Sequence, residues 1–412
     1  VSTNSANIQQ YVVESQGEFY NLATITAQNY ENYGLTYNSG KIEVSSWTNY
    51  GTFINEIEGT GGTITAGKIT NEYNLITNIE NLETENDITN EGYFEITGGT
   101  NTYRIVGSSG IIAFGSEETD IVGNKAEILQ STVYVQGIFT NEGKIQASQN
   151  VVNLTSATVI NKSSITSANG IYNYGDLTNE AVIQAGNYYV NYGTTTNNGK
   201  ITVTEIDNGD GGVFNTDIKD IEVSSAIINY GNLNLNGDGQ NNNYITGLGT
   251  TTITGNITNN NMLAQRYVVN EGTITTKMEQ IYVTDKILNN GKITISEDYQ
   301  YHYNTSNFDG TGALEKSTTI LNTANIKQNS VIISTSVEVY SNADLLDVAN
   351  LNNNGLLFFS EESKISKSTI TGSGILYILS DIESTGGIEQ YAVINQNNII
   401  VDGSRFKANF IS

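Results

Sequence analysis

The sequence predicts an all-β protein, a right-handed parallel β-helix (β-solenoid) of about 17–22 residues per coil. Three observations predict it. Asn-x-Gly tripeptides recur at short, nearly constant spacing. A strict in-out alternation follows many of them. The chain of 412 residues also holds 41 Gly and no Pro.

The tripeptides set the coil length. Asn-Tyr-Gly occurs five times, ending at Gly34, Gly51, Gly175, Gly193 and Gly231. Gly34 to Gly51 is 17 residues, and Gly175 to Gly193 is 18. A second turn follows within the same repeat: Asn32-Tyr33-Gly34 leads to Asn38-Ser39-Gly40, and Asn191-Tyr192-Gly193 to Asn197-Asn198-Gly199. The copy at Asn229 departs from this, because Leu235 stands where the second Asn is expected. Asn and Gly tolerate left-handed backbone, so Asn-x-Gly is expected to mark a turn.

The alternation identifies strands. In Lys41-Ile42-Glu43-Val44 and Lys200-Ile201-Thr202-Val203 the branched residues point in and the polar ones out. One such unit cannot bury its apolar face alone. Stacked units can, each strand pairing with its equivalent about 4.8 Å above and below. A right-handed coil is the default for parallel crossovers. Pro would remove a donor from these ladders, so its absence fits. The expected organisation is a single continuous solenoid over 1–412, most regular over 20–295 and less regular over 296–412, with about twenty coils in all.

Stacking turns equal positions into columns. Asn32, Asn49, Asn173, Asn191 and Asn229 are expected to form a structural asparagine ladder. The residues beside them, Tyr33, Tyr50, Tyr174, Tyr192 and Tyr230, are expected to point outward in short aromatic columns on one edge. Two readings of that edge stay open: stacking that covers the turns, or an amphipathic strip that binds glycan or protein.

Charge and composition exclude several functions. With 43 Asp and Glu against 18 Lys and Arg, the net charge is −25, so the chain has no basic stripe for nucleic acid and would repel anionic lipid. No stretch approaches the ~20 apolar residues of a membrane helix. Without Cys, and with His302 as its one His, the chain offers no ordinary zinc site, and no cofactor is expected. Glu117, Glu118 and Asp120, or Asp344 and Asp347, could pair carboxylates for glycoside hydrolysis, but solvated faces explain them. Asn215-Thr216-Asp217 matches one polygalacturonase segment without the others. Asp207 and Asp210 have calcium-like spacing but lack a later Glu to close a loop, so they read as a turn insertion. The expectation is therefore no enzyme and no metal.

The Asn-x-Gly-x-Ile repeats, such as Asn141-Glu142-Gly143-Lys144-Ile145 and Asn270-Glu271-Gly272-Thr273-Ile274, resemble the passenger domains of type V autotransporter adhesins. The Asn-, Lys- and Ile-rich vocabulary is similar to that of the large adhesins of AT-rich Gram-negative anaerobes such as fusobacteria. The resemblance implies a cell-surface or secreted β-helix, a cleaved or truncated passenger without its membrane barrel, that attaches to host cells or other bacteria. The alternatives are a self-assembling extracellular fibre or surface-layer protein, associating end to end, and a polysaccharide-degrading β-helix.

Overall fold

A computed structural model shows an all-β chain with 68% of its residues in strands. It describes residues 1–55 and 61–295 and, beyond them, 302–304, 307–316, 320–322, 326–333, 338–341, 346–359, 365–366, 369–379, 382–384, 387–395, 399–401 and 406–411. Parallel strands stack coil on coil, a β-solenoid of about 18 turns among the described residues. The chain divides into two compact units, Val1–Asp207 and Asn208–Ser412.

The first unit has three faces. Strands Glu18–Asn21, Leu35–Asn38 and Thr52–Ile54 stack on face one. The longer strands Thr24–Asn32, Lys41–Asn49 and Thr63–Asn71 each serve two faces. Their inward residues fall at every second position, but the alternation skips a beat in the middle, at Ser45 in Lys41–Asn49, where the chain turns a corner. Residues 41–44 thus lie on face two and 46–49 on face three. Inside, Ile25, Ile42 and Ile64 form one fully buried column. Trp47 packs edge-on against Phe53, with ring centroids 5.0 Å apart, and Tyr30 against Phe53 at 6.4 Å. Each fully buried side chain of this size contributes about 1.5–3 kcal/mol.

The second unit repeats the plan. Val213–Asp217, Asn232–Asn236 and Thr250–Ile253 stack on one face. Asn256–Asn259, Thr273–Thr276, Lys292–Ile295 and Ala313–Lys316 stack on another. Residues 226–228, Tyr244–Thr246, 263–265 and 281–283 stack on the third. Phe214, Leu233, Ile274, Ile293 and Leu314 fill the interior.

The turns differ from expectation in one physical respect. Gly34, Gly51, Gly175 and Gly193 do not have positive φ. They are glycines because consecutive coils approach too closely for a side chain. A β-carbon on Gly34 would be driven into the carbonyl oxygen of Gly17, one on Gly51 into that of Gly34, and one on Gly193 into that of Gly175. Those carbonyls accept ladder bonds at the same places, for example from Thr52 N to Gly34 O at 2.9 Å. Left-handed backbone is used elsewhere, as at Gly17, with φ 72° and open space where its side chain would be.

Candidate functional site

Each face of a coil ends on an inward position that is most often Asn. Its side-chain amide donates to the side-chain oxygen one coil on: Asn32 Nδ2 to Asn49 Oδ1 at 2.7 Å, Asn49 to Asn71 at 2.7 Å and Asn71 to Asn90 at 2.7 Å. A parallel ladder runs from Asn4 through Asn21 and Asn38 to Asn55. Asn153, Asn173 and Asn191 are joined the same way, at 2.6 and 2.8 Å. In the second unit Asn208 donates to Asn229 at 2.7 Å. The second amide hydrogen usually finds a turn carbonyl, as from Asn49 Nδ2 to Asn74 O at 2.8 Å. Every rung is buried, so the amides need these partners, and one coil supplies what the next requires. Among the described residues the Asn-to-Asn rungs are 17 to 23 residues apart, as from Asn32 to Asn49 and from Asn101 to Asn124.

The matching tripeptides do not share one column. The column of Asn32 and Asn49 continues to Asn71 and Asn90 on face three. Asn173 and Asn191 sit on face one, in the column that descends through Asn153, Val135, Phe114, Ile96 and Thr77. The same face carries Asn38 lower down, the second asparagine of its repeat. Tyr33 and Tyr50 therefore occupy one corner of the first unit, and Tyr174 and Tyr192 the next corner in chain order. The expectation of a single edge is corrected. The reason is local: the same tripeptide closes any corner, because each face ends on the same kind of inward position.

At both corners the tyrosines are about half exposed, 48% for Tyr33 and 39% for Tyr174. Tyr33 stacks on Tyr50 with centroids 5.0 Å apart and planes 13° from parallel; Tyr174 stacks on Tyr192 at 5.7 Å and 2°. One face of each ring is thus covered by its partner, and the rest of the ring is half-exposed. The Tyr33 hydroxyl donates to Glu31 Oε2 at 2.7 Å, and that bond pushes its pKa up to about 12. Tyr230 is 50% exposed on a turn of the second unit.

Two recurrent devices escaped the reading of the sequence. Some ladders end on Thr, whose hydroxyl turns to the next carbonyl: Thr77 to Asn78 O, Thr216 to Asp217 O and Thr276 to Lys277 O, at 2.9 to 3.1 Å. A 3-10 turn follows each one, at Ile79–Asn81, Ile218–Asp220 and Met278–Gln280. Other ladders end on Gln. Asn90 donates to Gln130, Asn229 to Gln265, Asn289 to Gln328 and Asn353 to Gln390, at 2.6 to 2.8 Å and 36 to 40 residues apart. Each pair spans a coil whose turn reads Gly107-Ser108-Ser109-Gly110, Gly247-Leu248-Gly249, Gly310-Thr311-Gly312 or Gly372-Ser373-Gly374.

The chemical candidates are spread apart. Asp120 accepts from Ser116 N at 2.7 Å, Ser116 Oγ at 2.9 Å and Glu117 N at 3.0 Å, which makes it the cap of its own turn, while Glu117 and Glu118 are exposed. Asn234 Nδ2 donates to Asn215 Oδ1 at 2.7 Å, a surface rung. Asp207 is half-buried, and desolvation raises its carboxyl above the usual range; Asp210 is exposed. Among the described residues no three His, Cys, Asp or Glu side chains converge as metal ligands would. Asp344 lies outside the described residues, as do the side chains of His302 and Asp347. Among the described residues no helix is long and apolar enough to cross a membrane. An open groove of about 550 Å³ runs over Gly99, Ile121, Gly123, Lys125, Glu142 and Lys162. Its two lysines both lean on Glu142, at 3.9 and 3.8 Å. No protein-family model, curated protein or solved structure matches this chain.

Proposed function

We propose that this chain is an extracellular, surface-exposed β-helical adhesin or stalk that attaches to glycan or protein on host cells or other bacteria. The observation that carries this reading is the pair of tyrosine columns on ladder-locked corners. Tyr33 with Tyr50, and Tyr174 with Tyr192, present half-exposed rings that stacking already holds in place. Ordered tyrosines lose little side-chain entropy on binding and combine apolar area with a hydroxyl. With one face of each ring taken up by stacking, the partner is met by the other face, the edges and the hydroxyls, which suits polar ligands. The net charge of −25 disfavours nucleic acid and anionic lipid.

The test is retention of beads coated with the purified chain on epithelial cells, on partner bacteria and on a glycan array. Tyr33→Ala/Tyr50→Ala or Tyr174→Ala/Tyr192→Ala should cut retention by about five-fold or more, the loss of one interface hot spot. Absence of retention on every surface, or full retention by both double variants, rejects the reading. A different observation, the outward run of Tyr20, Tyr37, Ile54 and Ile76 on face one, favours the alternative of a self-assembling extracellular structural protein.

A further inference from the structure

Outward positions of the first unit are not alike on its three faces. On face two, Thr26, Glu43, Thr65 and Glu83 hold the second outward position of their strands, followed by Thr100, Gly123, Thr140, Ile160, Thr178 and Thr196. On face three the same place is held by Glu31, Thr48, Thr70, Thr89, Val106, Leu129, Gln146, Thr166 and Gln184, so only two of nine are apolar. On face one it is held by Tyr20, Tyr37, Ile54 and Ile76 in unbroken succession. Glu95 and Ala113 come next, and the apolar run then resumes as Tyr134, Val152, Tyr172 and Val190. All these side chains except Ala113 are half-exposed. Strand propensity does not require this surface, because Thr satisfies it on the other faces at no apolar cost.

We propose that face one of the first unit docks side by side on the same face of a second copy of this chain. The occupant follows from spacing, charge and area. The apolar residues recur once per coil, about 4.8 Å apart, and a second copy of this chain offers side chains at that repeat over as many rungs; two such faces pack about 10 Å apart. In a chain of net charge −25 the column holds one carboxylate, Glu95, which accepts from the Tyr93 hydroxyl at 2.8 Å, and the outward column beside it adds one more, Glu18, which accepts from the Tyr20 hydroxyl at 2.7 Å, so two copies meet few opposed charges here. Ten rungs of four residues cover about 600 Å² in projection, of the order of the ~800 Å² per partner that stable interfaces bury. The proposal is independent of what the tyrosine corners bind.

The test is sedimentation of the full chain at 10 to 100 µM in low and high salt. Wild type should dimerise, and more tightly in high salt, where the charge of −25 is screened. Ile54→Thr/Val152→Thr/Val190→Thr, which copies the other faces and keeps strand propensity, should weaken the dimer at least about ten-fold, or about 1.4 kcal/mol. Glu95→Gln should tighten it, and Thr166→Glu on face three should leave it unchanged. A wild type that stays monomeric throughout, or equal loss in Thr166→Glu and the triple variant, overturns the proposal. So does a dimer whose affinity ignores the triple substitution.

Discussion

Asn90 and Gln130 lie 40 residues apart in the chain, yet the Asn90 amide donates to the Gln130 side-chain oxygen at 2.6 Å, across a coil that supplies no rung of its own. The skipped coil turns through Gly107 and Gly110. A β-carbon at either would collide with the Asn90 carbonyl, and the space left open is where the Gln130 amide enters. The Gln nitrogen then donates to its own neighbour, Leu129 O, at 2.9 Å; Gln265 and Gln390 do likewise to Ala264 and Glu389. After Gln130 the ladder reappears on the next face in chain order, as Asn153, Asn173 and Asn191. After Gln265, in the second unit, it reappears as Asn270 and Asn289, joined at 2.7 Å.

Gln130 should therefore be intolerant even of the residue that suits every ordinary rung. Gln130→Asn is one methylene too short to cross the skipped coil. It should destabilise the first unit about as much as Gln130→Leu, by roughly 1–3 kcal/mol, the usual cost of a buried amide left unpaired. Urea unfolding followed by circular dichroism reads the difference. A Gln130→Asn variant as stable as wild type would show that Asn90 finds another partner.

The short-range order was legible in the sequence, and its succession around the faces was not. Ile42 and Val44 could be placed inward because alternation is a local signal, and Asn32 over Asn49 because one coil separates them. The corner that a tripeptide closes depends on the count of strands before it. Asn49-Tyr50-Gly51 and Asn173-Tyr174-Gly175 carry the same local signal at different corners. The pairing of Asn90 with Gln130 lies beyond a search tuned to one coil, since it skips one. The repeated run from Thr216 through Gly247-Leu248-Gly249 to Gln265, echoed from Thr276 through Gly310-Thr311-Gly312 to Gln328, was the signal available at longer period. The tight role of Gly34 was invisible because nothing local distinguishes a glycine chosen for φ from one chosen for closeness.

Two glycines of adjacent coils should separate those reasons. Gly17→Ala places a methyl in open space on a left-handed backbone and should cost about 1 kcal/mol. Gly34→Ala keeps ordinary backbone but drives its methyl into the Gly17 carbonyl, and should cost about 3 kcal/mol or more, with the two coils forced apart. Thermal unfolding and hydrogen exchange at Leu35 and Thr52, whose amides donate to the Gly17 and Gly34 carbonyls, check it. The reverse order of the two losses would contradict the close-approach account.

A mid-ladder rung should matter more than a first rung. Asn49→Leu removes the acceptor of Asn32 and the donor to Asn71, and should cost about 2–4 kcal/mol. Asn153 is the first rung of its asparagine run, above Val135, and its side-chain oxygen has no partner. Asn153→Leu removes the donor to Asn173 and to the Asp176 carbonyl, with an unpaired oxygen, but orphans no amide donor below it, so its cost should be about 1–2 kcal/mol. Equal losses in urea unfolding would mean that burial of the amide, and not its place in the ladder, sets the energy.

Acid should act on two neighbouring glutamates with opposite sign. Glu91 accepts from Ser109 N at 3.0 Å, Ser109 Oγ at 2.8 Å and Ser108 N at 3.1 Å, and these donors, Ser109 first, hold its carboxyl below the usual 4.5. Its folded-state pKa is depressed, so its contribution is complete above about 4.5 and lost as the pH falls through the lower folded value. Burial pushes the Glu95 carboxyl up, against a weaker opposing bond from Tyr93. Its contribution is present at low pH and lost as the pH rises through the raised value. Glu91→Gln should therefore lower the melting temperature at pH 7, and Glu95→Gln should raise it, both differences fading below the carboxylate range. Melting curves of the two variants and wild type from pH 7 to pH 3 test the signs, and a shared direction at pH 7 would refute the assignment of burial to Glu95 and of the serine donors to Glu91.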